Sequence, residues 1–183
     1  MSTKKILNNV AVPDKTIYLS DIDSHLYKNR PFVVDFSFEG AFLSFEYGGF
    51  SNYLIDKKDF INRHRKIMTD INKLSDHNLE EIMNGKGYRH CHPLDSRDTE
   101  KAGSIIKQLF HILNKDDKTY EQLLGGEKIY QIGWESEVRL YGTIHGNIFR
   151  VYFIDYYHDF NYDQRRNNRN KKLCKFCPTK SEL

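Results

Sequence analysis

"EVRLYGTIHGNIFRVYFIDYYHDF", residues 137–160, is the stretch on which the reading of this chain turns. Gly146-Asn147 at its middle is a two-residue hairpin signal, because both residue types tolerate the positive φ that a tight turn between twisted strands demands. Folding the stretch about that turn sets His145 opposite Ile148, Thr143 opposite Arg150, Tyr141 opposite Tyr152 and Arg139 opposite Ile154. Side chains alternate across a strand. One face therefore collects Val138, Leu140, Ile144, Phe149, Val151 and Phe153, which is a core. The other collects Arg139, Tyr141, His145, Arg150, Tyr152 and Tyr156, with Glu137 and His158 further along.

A sheet face wet with water is usually made of Thr, Lys, Glu and Ser, and this mixture has a different chemistry. Arg neutralises phosphate and the charge that builds on a transferred phosphoryl oxygen, Tyr stacks on unpaired bases, and His moves the proton of a ribose 2′-hydroxyl. The sequence thus points to Arg139, Arg150, His145 and His158 as the catalytic groups of an RNA-cleaving site, with Tyr141, Tyr152 and Tyr156 as base platforms. Asp155 falls on the core side of this register and needs a partner there, for which Arg166 or Arg169 is in reach along the chain.

Upstream, "PFVVDFSFEGAFLSFEYGGF" (31–50) predicts a second hairpin turned at Glu39-Gly40, pairing Phe38 with Ala41, Phe36 with Leu43 and Val34 with Phe45, its second strand ending at Gly48-Gly49. Phe60, Ile61, Ile67, Met68, Ile71 and Leu74 recur near helical spacing, and a short second helix is expected from about Ser75. A third should begin between Ser96 and Asp98, and Gly125-Gly126 should stop a short fourth. The expected fold is one α+β domain over residues 1–160, an antiparallel sheet of two hairpins with three to four helices packed on it.

The remaining residues, 161–183, read as a basic tail. Arg165, Arg166, Arg169, Lys171, Lys172, Lys175 and Lys180 stand against Asp163 and Glu182, a net of +5 in a chain whose total is +3. A near-neutral body with a basic arm suits electrostatic attachment to a polyanion, and Arg165, Arg166, Arg169, Lys171 and Lys172 are the expected phosphate contacts. Within the tail Cys174 and Cys177 form a C-x-x-C, and the third cysteine lies in "YRHCHPLD". Cys174 and Cys177 with His90, His92 or Cys91 could complete a tetrahedral structural zinc site that ties the tail back. His64 in "NRHRK" and His77 read as surface residues, the charges around His64 as a solvated helix face.

An odd cysteine count with two crowded together is not a secreted disulfide framework. No stretch is apolar for long enough to cross a bilayer, and the start has no apolar run of signal length, so a cytoplasmic protein without a membrane partner is expected. Glycine-rich phosphate loops, dinucleotide fingerprints and serine nucleophile elbows are missing, which leaves polyanion binding ahead of metabolic chemistry.

A helix-rich segment followed by "VRLYGTIHGNIFRVYFIDYYHDF" resembles the C-terminal sheet of the RelE/YoeB/ParE-like toxins, small ribosome-dependent ribonucleases and their relatives. The resemblance covers residues 97–160, and members of that family are usually about half this length. It implies Arg139 and Arg150 as phosphate-binding cations, His158 or Tyr157 as a late-strand acid or base, mRNA on the ribosome as substrate and an antitoxin as partner. Beside this stand two further expectations. One is a non-enzymatic RNA- or protein-binding module, zinc-stabilised, of a phage or toxin–antitoxin defence system. The other is an accessory protein of such systems, binding another protein through its aromatic surface.

Overall fold

The computed structural model describes residues 29–85, 88, 90–134, 136–161 and 170–179. The fold is α+β: a mixed five-stranded sheet, a separate two-stranded ribbon, and helices on both sheet faces. The strands are β1 (Val33–Asp35), β2 (Glu46–Tyr47), β3 (Phe50–Ser51), β4 (His92–Pro93), β5 (Ile129–Gly133), β6 (Arg139–His145) and β7 (Ile148–Asp155). The helices are α1 (Lys57–Leu74), α2 (Leu79–Asn84), α3 (Ser96–Ile112) and α4 (Asp117–Leu124).

Each of α1 to α4 begins on a side chain that accepts a hydrogen bond from an otherwise unpaired N–H of the first turn: Asp56, Asn78, Asp95 and Asp116. At α2, Glu81 returns the favour to Asn78, so the second helix starts at Leu79, four residues after Ser75. Gly125 ends α4 as expected.

The sheet runs β1-β7-β6-β5-β4. Its centre is the predicted hairpin, turned at Gly146-Asn147, with His145 opposite Ile148 and Thr143 opposite Arg150. Beyond that point the register departs from expectation. Gly142 pairs with Val151 but Tyr141 pairs with Phe153, so Tyr152 is an extra residue, a β-bulge. A Cβ on Gly142 would stand 1.9 Å from the carbonyl oxygen of Arg150, so the strands close up here only because residue 142 has no side chain.

The bulge exchanges the faces of everything after it. Leu140, Phe149, Val151 and Ile154 pack with Ile67 and Leu74 of α1 and Ile82 of α2. Tyr141, Tyr152 and Phe153 pack with Ile105, Ile106, Leu109 and Phe110 of α3 on the other face. A sheet covered by helices on both sides has no wet face.

The first hairpin is also corrected. No turn brings strands together at Glu39-Gly40; β1 instead lies parallel to β7, Val34 beside Phe149. Residues 36–45 wind through tight turns, Ala41 N–H to Phe38 O at 3.0 Å and Leu43 N–H to Gly40 O at 3.0 Å. They send Phe36, Ala41 and Phe42 into the α1 core, and Phe38, Leu43 and Phe45 into the α3 core. A hairpin with one apolar face could serve only one of these cores. The hairpin that does form is β2–β3, where Gly48 and Gly49 supply φ of 57° and 92°.

Residues 170–179 are packed against the body. Leu54 and Phe176 form an antiparallel bridge with N–H···O distances of 2.9 and 2.8 Å, and Asn170 donates to Asp159 at 2.7 Å. Arg165, Arg166 and Arg169 lie outside the described residues. No helix among the described residues is long and apolar enough to cross a membrane.

Candidate nucleic-acid interface

The residues expected to form one polar face fall into three groups. Tyr141, Tyr152 and Tyr156 are enclosed, at 0%, 0% and 1% exposure, and cannot meet a base. Tyr141 stacks on Phe153 at 4.7 Å and donates its hydroxyl to Gln131 at 2.9 Å; burial pushes that phenol well above its ordinary range. Their expected role fails because α3 covers Tyr141 and Tyr152, while the bulge sends Tyr156 into the core on the α1 side.

Arg139 and His158 stand at one end of the hairpin. Arg139 is buried, laid along the side-chain-free edge of Gly133, and its Nη1 donates to the carbonyls of Trp134 (3.2 Å), Ser136 and Val138 (2.8 Å). It therefore organises the β5–β6 loop. His158 sits half-buried in the loop after β7 with φ of 62°. That loop is built on Asp155, whose carboxylate accepts from the N–H groups of Tyr157, Asp159 and Phe160 at 3.2, 2.9 and 2.8 Å. The predicted need for a partner at Asp155 is thus met by backbone N–H groups.

Arg150 and His145 stand at the other end. Arg150 donates Nε to Asp35 at 2.9 Å across the β1–β7 pair, and His145 Nε2 lies 3.1 Å from the Thr143 hydroxyl. Burial works against the Asp35 carboxylate, but its bonds with Ser37 and Arg150 hold it below the usual range. A cavity of about 360 Å³ opens beside Arg150, Tyr152 and Lys115, where Lys115 is paired with Glu39 at 2.8 Å. The six-residue step from Arg139 to His145 spans roughly 20 Å of strand. The four expected catalytic groups therefore do not surround one phosphodiester.

Of the expected zinc ligands, Cys91 points into the α1 core and donates weakly to Gly133 O at 3.4 Å, while His92 is exposed at the sheet edge beside Gln131. His90 offers its carbonyl to Gln131 at 3.2 Å. Cys174 and Cys177 are buried thiols. Burial raises the Cys174 thiol, next to the Tyr157 hydroxyl. At Cys177 burial is outweighed by Thr179 and by the Ser44 N–H, 3.3 Å away, which hold the thiol below its ordinary value. Among the described residues, no three His, Cys, Asp or Glu side chains are grouped to hold a metal ion.

The feature that sequence reasoning weighed as a basic helix face and set aside as a solvated one is the outer side of α1. The helix carries Lys57, Lys58, Arg63, Arg65, Lys66 and Lys73 against only Asp59 and Asp70. Both acids face inward. Asp70 is buried and neutralised by Lys66 (3.6 Å) and Lys73 (3.3 Å), while Asp59 is committed to Arg63 at 2.9 Å and to the Tyr157 hydroxyl. Lys57, Lys58, Arg65, Lys66 and Lys73 are exposed, and no acidic residue of α1 is exposed with them. The signal was available: Asp59 and Asp70 are eleven residues apart, three helical turns, on the stripe that also carries Phe60, Ile67 and Leu74.

Lys172 and Lys175 extend this surface, because the Leu54–Phe176 bridge fixes residues 170–179 beside the start of α1. Lys171 is held at 2.5 Å by Glu46 of β2. No curated protein and no solved structure matches the chain. Residues 37–183, which include the cysteine pair, α1 to α4 and strands β2 to β7, match the family described as "Uncharacterised protein UU032", and the chain belongs to that family.

Proposed function

We propose that this protein is a nucleic-acid-binding module that grips the phosphate backbone with the outward cations of α1 and with the lysines of the docked segment 170–179. The observation that carries the reading is the one-sided charge of α1: five exposed cations and no exposed acid, because Asp59 and Asp70 are turned into the body. Lys66 and Lys73 share Asp70, while Lys57, Lys58 and Arg65 form no ion pair among the described residues; such cations release condensed counterions when phosphates replace them, and that release drives attachment. The basic segment contributes from a fixed position rather than as a loose arm. Binding takes precedence over RNA cleavage because the arginines and histidines expected to cleave lie at opposite ends of the hairpin, Arg139 engaged with loop carbonyls and Arg150 with Asp35.

The test is the salt dependence of affinity for a fluorescein-labelled RNA, followed by anisotropy between about 50 and about 200 mM salt. Changing Lys57, Lys58, Arg65 and Lys66 together to Gln should reduce the slope of log K against log salt by about 3, roughly 0.7–0.9 for each phosphate no longer neutralised. A slope equal to that of the wild type, with the fold intact by circular dichroism, would return α1 to an ordinary solvated helix.

A further inference from the structure

The surface beside the cations of α1 carries apolar side chains that phosphate binding does not need. Tyr47, at the tip of the β2–β3 hairpin, is 40% exposed; Ile55, just before α1, is 51% exposed; Leu173, in the docked segment, is 56% exposed. They come from three separate parts of the chain, and the contacts that bring those parts together are explicit. Lys171 bonds Glu46, the neighbour of Tyr47, at 2.5 Å. Ser44 N–H reaches Cys177 Sγ at 3.3 Å, and Leu54 pairs with Phe176 on both sides of the peptide. Residues 44–47 and 54–55 thus both border residues 171–177, so the segments that carry Tyr47, Ile55 and Leu173 adjoin those that carry Lys57, Lys58, Lys172 and Lys175.

We infer that this surface takes single-stranded nucleic acid, with the Tyr47 ring as a stacking platform for an unpaired base. The inference rests on the nucleic-acid reading above and narrows its substrate. A duplex presents phosphates and grooves and offers no base face to a ring on a convex surface, whereas a single strand exposes both faces that such an element meets: charge along the backbone and π surface on the bases. Gly48 and Gly49 form the two-residue turn that Tyr47 and Phe50 close, and Phe50, the cross-strand partner of Tyr47, is buried among Phe45 and Phe153. The hairpin is therefore anchored from beneath while its tip ring stays open. A membrane surface also attracts cations mixed with apolar groups, but it needs a continuous apolar face to sink into the headgroups. Here the exposed apolar side chains, Ile61 and Met68 of α1 among them, alternate along the chain with cations: Ile55 with Lys57 and Lys58, Met68 with Arg65 and Lys66, Leu173 with Lys172.

Anisotropy at low salt with a labelled single-stranded RNA of about a dozen nucleotides, within the usual site size for such surfaces, and with a duplex of the same length tests the inference. Phosphatidylserine–phosphatidylcholine vesicles form a third arm. The single strand should bind at least about tenfold more tightly than the duplex. Tyr47→Ala should weaken single-strand binding by roughly 5- to 150-fold while Tyr47→Phe keeps it, and neither should alter the salt slope, since no charge is removed. Thermal melting checks both variants for folding. Equal affinity for single strand and duplex, with Tyr47→Ala silent, overturns the inference and leaves the charge-based reading standing. Wild-type protein that binds neither RNA overturns both, as does protein that binds the vesicles and neither RNA.

Discussion

Replacing Asp155 by Asn should change how the stability of this protein depends on pH. The carboxylate is fully buried, and enclosure pushes it up from the ordinary 3.8 to about 7, aided by the neighbouring Asp159 and opposed by the N–H groups of Phe160, Asp159 and Tyr157. Below pH 3.8 both the folded and the unfolded chain hold the proton. Between 3.8 and about 7 only the folded chain holds it, so stability falls as pH rises through that window and levels off above it. At about 1.36 kcal/mol per pH unit the fall is on the order of 4 kcal/mol. An amide does not titrate. In Asp155→Asn the side chain would keep one oxygen for Tyr157 and Asp159 but turn an NH₂ toward the N–H of Phe160, costing about 1–3 kcal/mol. Urea denaturation followed by circular dichroism at steps from acid to neutral pH gives both curves. The wild type should lead the variant at acid pH, and its lead should shrink by up to ~4 kcal/mol as neutrality is reached. A lead that stays constant, or grows with pH, would mean that the three N–H bonds outweigh burial, and the reasoning would be refuted.

Gly142→Ala should be among the most damaging single-methyl changes, because the new Cβ would meet the Arg150 carbonyl at 1.9 Å within the central strand pair; a loss of about 3 kcal/mol or more is expected by urea titration. Tyr141→Phe should cost about 1 kcal/mol by removing the bond to Gln131, and should leave RNA affinity at the wild-type value, since the ring is enclosed under α3.

The elements themselves were largely legible. Apolar spacing with a start between Ser96 and Asp98 located α3, and Gly125-Gly126 located the end of α4, because helix start and stop signals act within about a turn of chain. Gly146-Asn147 located the central hairpin for the same reason, its turn geometry being set by two residues. The error at Glu39-Gly40 has a comparable origin: a local alternation of apolar residues was read as one face of one sheet, whereas Phe36 and Phe38 are drawn to cores on opposite sides of another.

The candidate site was less legible. Sequence alone determined that the chain is α+β, where α3 starts and α4 stops, that a hairpin turns at Gly146-Asn147, and that its positive charge concentrates toward the C-terminus. It also contained the inward phase of Asp59 and Asp70, readable from helical period once α1 is granted. Tertiary structure decided the rest. One extra residue at Tyr152 reverses which side chains face which helix; Gly142 permits the close approach there, but whether the strand takes the bulge depends on packing α3 against Tyr141 and Phe153. Likewise nothing near Cys174 announces that Phe176 will pair with Leu54, more than a hundred residues earlier, and it is this long-range bridge that sets the lysines of residues 171–175 beside α1. Contacts between residues far apart in sequence are fixed by the closure of the whole core, which local pattern does not encode.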